Sequence, residues 1–172
     1  MLDRYAWRHN SILIYLHSIL NRNSDFEIYM DLPGYHTGIS TIPPDILVTN
    51  LKPDLVIVNK TSKFVTLLEL SVPFETNIEN THDRKVKRYQ NLINDIEQSG
   101  YTVYYYLLEI GSQGFIDADN VKRLKSITCK YTKDVKLADI KNNCSKISLI
   151  GSYIIYHSKF EESWIEPKLI KI

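Results

Sequence analysis

Asp54 and Glu69 are the residues of this sequence best placed to do chemistry together. Asp54 opens the apolar run Leu55-Val56-Ile57-Val58-Asn59, and Glu69 lies inside the next run, Phe64 to Val72, with Lys60-Thr61-Ser62-Lys63 between them. Two short β-branched and aliphatic runs around four polar residues read as a hairpin. Centring the turn between Thr61 and Ser62 sets Asp54 opposite Glu69. Directly opposed residues of an antiparallel pair share a face, with Cβ atoms about 4.5 to 5.5 Å apart. Like charges that close in an apolar sheet repel and are costly to bury. A divalent cation removes the conflict, because hard Mg²⁺ takes carboxylate oxygens and keeps several of its waters.

The strands that carry these acids frame the reading. Asp54 follows Pro53 at a strand entrance, where an aspartate also serves as an ordinary turn residue. By period two, Val65, Leu67, Glu69 and Ser71 share one face of their strand, and Phe64, Thr66, Leu68, Leu70 and Val72 share the other. Both faces are largely apolar, so the strand reads as central and covered on both sides, and a carboxylate there needs a partner. The following segment, about 77 to 98, has helical spacing through Ile78, His82, Lys85, Tyr89, Leu92, Ile93 and Ile96, and Gly100 marks its end. Lys85 and His82 then lie on the stripe facing the sheet. Lys85 can alternatively lay its stem along the core edge with its ammonium in water. The ordinary reading of His82 is a capping or packed histidine.

Lys52-Pro53-Asp54, Glu69-x-Ser71 and a helix bearing Arg84-Lys85-x-x-Arg88-Tyr89 resemble the PD-(D/E)XK nuclease superfamily. More narrowly, the chain is similar to the restriction-like endonuclease domains of non-long-terminal-repeat retrotransposons and related reverse-transcriptase-associated open reading frames. In those the lysine has moved from the second strand to a nearby helix. Trp7-Arg8-His9-Asn10, Leu70-Ser71-Val72-Pro73-Phe74-Glu75 and Glu109-Ile110-Gly111-Ser112-Gln113-Gly114-Phe115 extend the resemblance over residues 5 to 116. The chain departs from the pattern at Ser71, where the common motif has lysine, and at Gln113, where many relatives have arginine.

The resemblance implies a metal-dependent endonuclease or nickase hydrolysing phosphodiester bonds, with DNA a better substrate than RNA. Asp54 and Glu69, with the Leu70 carbonyl as third ligand, would hold Mg²⁺ or Mn²⁺, which polarises the scissile phosphate and acidifies the attacking water. Lys85 would stabilise the developing charge or orient that water. Arg84 and Arg88 would hold phosphates of the substrate, and Tyr89 would either bond a phosphate or serve as core. Cutting both strands of a duplex implies a homodimer, whereas nicking needs only a monomer. The absence of lysine at 71 leaves open a nuclease-fold module that binds nucleic acid or protein without cutting. An interaction domain with tyrosine-rich surfaces would instead have Asp54 and Glu69 pointing apart.

The remaining features bound these readings. The 172 residues suffice for one domain over 1–172 with a sizeable core. The expected architecture is α/β, a restriction-endonuclease-like αβββαβ core with a mixed central sheet flanked by helices and a C-terminal helical extension. Helix 3–22 buries Ile12, Leu13, Leu16, Ile19 and Leu20; strands follow at 26–31, in the hairpin and at 101–110. The loop 32–50 includes a short extended piece at 45–49. Helices are expected from Asp117, from Leu137 and over 147–160. Formal charge is only +1, from 21 basic and 20 acidic residues, whereas strong nucleic-acid binders are usually clearly basic. Local basic clusters at 84–88 and 122–125 therefore read either as solvated helix faces or as binding tracks. The twelve tyrosines, with Tyr104-Tyr105-Tyr106 in one strand, either wall the core or stack on bases. Cys129 and Cys144 lack metal-ligand spacing and read as free thiols, so zinc is not implied. No apolar stretch reaches the ~18 residues that span a bilayer, which, with the charged start, suggests an intracellular protein.

Overall fold

The computed structural model describes residues 2–20, 26–36, 38–132, 135–161 and 163–168. Among them the chain builds α1 (Leu2–Leu20), β1 (Glu27–Met30), β2 (Leu55–Asn59), β3 (Phe64–Ser71), α2 (Ile78–Gln98), β4 (Thr102–Glu109), α3 (Ala118–Tyr131) and α4 (Leu137–His157). The strands form one mixed sheet in the order β1-β2-β3-β4. β1 and β3 each pair antiparallel with β2, and β4 runs parallel to β3. A parallel neighbour needs a crossover, and α2 supplies it.

The hairpin register follows the expected centring, with Leu55 opposite Leu68 and Asn59 opposite Phe64. Asn59 fixes the turn by accepting the Ser62 amide at 2.7 Å. One sheet face carries Val56, Val58, Val65 and Leu67 and packs under Tyr89, Leu92 and Ile96 of α2. The other carries Leu55, Ile57, Leu68, Leu70 and Leu108 and packs on α1, α3 and α4. The apolar side expected for α1 is buried throughout. Gly100, at φ 84°, ends α2 in the left-handed conformation that a residue with a Cβ rarely adopts. Asp117 caps α3 by accepting the Asn120 amide at 2.6 Å.

Three expectations need correction or lie outside the described residues. Residues 45–49 do not form a strand: the Ile46 and Leu47 amides turn back to the Pro43 carbonyl, and Ile46 drops into the α2-side core. The two C-terminal helices are one, because Ile140, Cys144, Ile147, Gly151 and Ile155 form a single buried stripe along α4. Gly151 does not break it; a Cβ there would lie 2.7 Å from Arg8 Cγ, so the glycine is what lets α1 approach α4. The expected end of α1 at residue 22 falls outside the described residues.

Both cysteines are free, and burial pushes the Cys144 thiol up to about 12. Among the described residues no helix is long and apolar enough to cross a membrane. The ends of the fold are tied together on α1. Trp7 Nε1 donates to the Pro167 carbonyl at 3.1 Å and its ring meets Trp164 edge-on, while Arg4 donates to the Ser158 and Glu161 carbonyls.

Gly114 joins β4 to α3 at φ 86°, and a Cβ there would lie 2.7 Å from the Ser145 carbonyl oxygen. Gly114→Ala is expected to cost about 3 kcal/mol, combining a strained φ with overpacking against backbone. A thermal melt unchanged by that substitution would show that the loop is not seated on α4.

Candidate active site

The strand arithmetic brings the two acids together. Asp54 lies one residue before β2 and Glu69 is in β3, and the structure links them through the backbone: the Asp54 amide donates to Glu69 Oε1 at 3.2 Å, and the Leu70 amide donates to Asp54 Oδ2 at 2.7 Å. Glu69 is only 2 % exposed. The approach to Asp54 is braced by the preceding loop, where Ser40 Oγ bonds the Leu51 carbonyl and Thr41 Oγ1 the Pro53 carbonyl.

Lys85 comes down from α2 onto this pair. Its Nζ lies 2.6 Å from Glu69 Oε2, 2.7 Å from the Leu70 carbonyl and 3.6 Å from Asp54 Oδ2. The ammonium is therefore inside the site and not snorkelling to solvent. Three oxygens from two strands converge on one cationic centre.

His9, quoted in the Trp7-Arg8-His9-Asn10 run of the resemblance, is the member to which reading the sequence gave no role at the site. It projects from α1, with Nε2 3.2 Å from Asp54 Oδ2 and Nδ1 3.1 Å from Asn10 Oδ1. A signal was present, since His9 continues the stripe of Ile12, Leu13 and Leu16 by helical spacing, yet is polar where the stripe is otherwise apolar.

These contacts split the two acids electrostatically. Burial works against charge on Asp54, but the His9 bond and charge, Lys85 and the Leu70 amide outweigh it and hold its carboxyl below the usual range. Burial and the neighbouring Asp54 lift Glu69 above the usual range against the pull of Lys85. Burial would lower His9, but its bond and attraction to Asp54 prevail and its pKa is raised above 6.5. A histidine raised in the folded state stabilises fully below its unfolded pKa and loses that contribution as pH rises through the folded value. Stability in EDTA should therefore fall as pH climbs past 6.5 and through the raised His9 value. His9→Gln should flatten that part of a plot of melting temperature against pH; an unchanged slope would remove His9 from the coupling.

The arginines and Tyr89 separate. Arg84 is exposed and lines, with Lys85, His9, Arg8 and Ser71, an open cleft of about 540 Å³; the two acids do not line it and stand behind His9 and Lys85, which bond them. Arg88 is also exposed, but lies outside the lining of that cleft, its guanidinium 5.4 Å from the Tyr89 ring centre. Tyr89 is core: it is buried, its hydroxyl donates to the Lys52 carbonyl at 3.2 Å, and burial followed by the nearby Glu69 raises its pKa. Of the two alternatives left open for Tyr89, its placement is that of the core. The cluster at 122–125 is not a free basic track either, since Lys122 pairs with Asp119 at 2.8 Å and Arg123 bonds the Leu107 carbonyl at 3.0 Å.

His82 is neither a cap nor simple packing. Its Nδ1 lies 3.0 Å from Glu109 Oε2, and Arg123 approaches the same oxygen at 3.6 Å. Glu109 is paired in register with Ser71, so this polar cluster adjoins the site along the α2 face of the sheet.

No protein-family model matches this chain, and no curated protein matches it.

Proposed function

We propose that the chain is a divalent-metal-dependent phosphodiesterase, a restriction-like endonuclease or nickase acting on nucleic acid, DNA in preference to RNA. The observation that carries this reading is the convergence of Asp54 Oδ2, Glu69 Oε2 and the Leu70 carbonyl on one cationic centre, whose Lys85 and Leu70 line an open cleft. The strand order and the helix between β3 and β4 support it as well, since they follow the αβββαβ arrangement expected of that nuclease core.

The residues suit Mg²⁺ or Mn²⁺. The donors are all oxygen, as a hard cation requires, and Lys85 Nζ already stands as a cation among them. Among the described residues no three His, Cys, Asp or Glu side chains gather into a metal-binding group. Two carboxylates, a carbonyl and several waters are nonetheless an ordinary Mg²⁺ environment. Bound there, the ion would polarise the phosphate and acidify a water.

The protein's own residues do the rest. Asp54, kept ionised by His9 and the Leu70 amide, presents a fixed negative charge. Lys85 is released from the acids to meet the phosphate, where its ammonium offsets charge developing on the non-bridging oxygens. Arg84, at the cleft wall, holds a neighbouring phosphate. Ser71 carries no charge, and its buried Oγ lacks a hydrogen-bond partner, so the cationic role falls to Lys85.

Supercoiled plasmid and branched DNA incubated with Mg²⁺ or Mn²⁺ test the proposal. Nicking that stops in EDTA and in Asp54→Ala or Glu69→Ala supports it. A protein that shifts DNA in a gel but cuts nothing with either metal would instead be the non-cutting module that serine at 71 suggests.

A further inference from the structure

The cleft lined by His9 and Lys85 does not end at Lys85. Tyr5, Arg8 and Val72 form a wall shared with a second groove of about 510 Å³, which runs past Phe74 and Ser112 to Tyr156 and Lys159. Three features distinguish this groove from ordinary surface.

The first is its rings. Tyr5, Phe74 and Tyr156 are 48 %, 54 % and 62 % exposed, although each comes from a different element and each could have been turned inward. Large apolar side chains gathered in a groove mark a binding surface more often than scattered ones do.

The second is its charge. Among the described residues no carboxylate lines either groove, and the charged lining residues are basic, Arg8 and Lys159 in one and Arg8, Arg84 and Lys85 in the other; Glu75 stands behind the first, bonded to Ser112 Oγ and the Gln113 amide. In a chain of net charge +1 this is a local concentration. The cations also sit beside the rings, Lys159 Nζ 4.2 Å from the Tyr156 centre and the Arg8 guanidinium 5.7 Å from that of Tyr5.

The third is Arg8 itself. It is 6 % exposed, with its two terminal nitrogens bonded to Ser152 Oγ and the Val72 carbonyl, yet its buried Nε has no hydrogen-bond partner. A guanidinium fixed at the junction of two grooves sets a positive charge beside an anionic ligand lying in either.

Alternating cations and exposed rings are what an unpaired nucleotide strand requires: phosphates meet the cations and bases stack on the rings. A duplex keeps its base faces stacked inside and offers the rings nothing. We propose that the groove through Tyr5, Arg8, Phe74, Tyr156 and Lys159 seats single-stranded nucleic acid and leads it into the cleft lined by His9 and Lys85, the two residues bonded to Asp54 and Glu69. The inference rests on the phosphodiesterase reading and narrows its substrate to strands with an unpaired arm, such as flaps and branched junctions.

Fluorescence anisotropy in EDTA tests it without requiring cleavage. The probes are a labelled single-stranded oligonucleotide, the blunt duplex of the same sequence and a flap. The parent should bind single strand and flap more tightly than duplex. The double variant Phe74→Ala/Tyr156→Ala should lose on the order of tenfold or more for the unpaired probes, the scale of base–aromatic stacking, and stay within about twofold on duplex. Lys159→Ala should lower the magnitude of the salt slope on single strand by about 0.7. All three side chains are exposed, so the core is left intact. Equal affinity for duplex and single strand, or ring variants that bind like the parent, overturns the inference even if plasmid is cut. Ring-dependent single-strand binding by a protein that cuts nothing upholds it while removing the phosphodiesterase reading.

Discussion

Lys85→Met should melt about 10 °C below the parent in EDTA and regain most of that loss when Mg²⁺ or Mn²⁺ is added. Removing one partner of a buried ion pair costs about 3 kcal/mol, because the remaining charge is stranded. Here the carboxylate stranded is that of Glu69, almost fully buried and 2.6 Å from the ammonium, whereas Asp54 keeps His9 and the Leu70 amide. Glu69, already raised toward protonation, can take up a proton and blunt the penalty, so the loss should be smaller at acidic pH than at pH 8. For a domain of this size each kcal/mol shifts the midpoint by roughly 2–4 °C. A cation at saturating concentration stabilises by RT ln(1 + [L]/Kd), about 2.7 kcal/mol at a hundredfold excess over Kd. The parent should respond less to the same metal, since its ammonium competes for the same three oxygens. Equal metal-induced shifts in parent and variant would mean that the cation binds elsewhere or not at all.

The second large effect is on rate. Glu69→Gln and Asp54→Asn keep the shape of each side chain and remove its charge, and should lower cleavage on the order of 10³-fold, the loss of several kcal/mol of transition-state stabilisation. His9→Ala should cost less, about 10- to 100-fold, because His9 acts through the orientation and ionisation of Asp54. Lys85→Met should fall by about 10² to 10³, the scale of a lost electrostatic contact to developing charge. Ser71→Lys in that background should recover part of the rate, since position 71 lines the same cleft two residues beyond Glu69. Rates that are unaffected in Asp54→Asn would place the chemistry outside this cleft.

What the sequence made legible was the part set by local periodicity. The hairpin register, the α1 stripe and the approach of Lys85 to the acids follow from period two and period 3.6, which depend on neighbours along the chain. Tyr89 illustrates the limit: its position on the α2 stripe was clear, but whether its hydroxyl reached a phosphate or the Lys52 carbonyl depended on the path of a distant loop. His9 was given no role at the site for a similar reason, since nothing local says that α1 runs past the end of β2. Gly151 falls inside the helix expected over 147–160, but that it serves as a contact follows only from the Arg8 stem packed against it. The turn at 43–47 was missed because Pro43-Pro44 begins a reversal that brings Ile46 into the core.

The seating of α1 has a bearing on when the site can come into being. His9 is synthesised early, but the surfaces that hold its helix come late: α4, against which Arg8 lies, and the segment whose Pro167 carbonyl receives Trp7. On a ribosome, where chains fold from the N-terminus as they emerge, Asp54, Glu69 and Lys85 can assemble while α1 still lacks its final support. The histidine that fixes Asp54 would be locked only after residue 167 has left the exit tunnel. A nascent chain would thus carry Asp54 without its final support through most of its own translation.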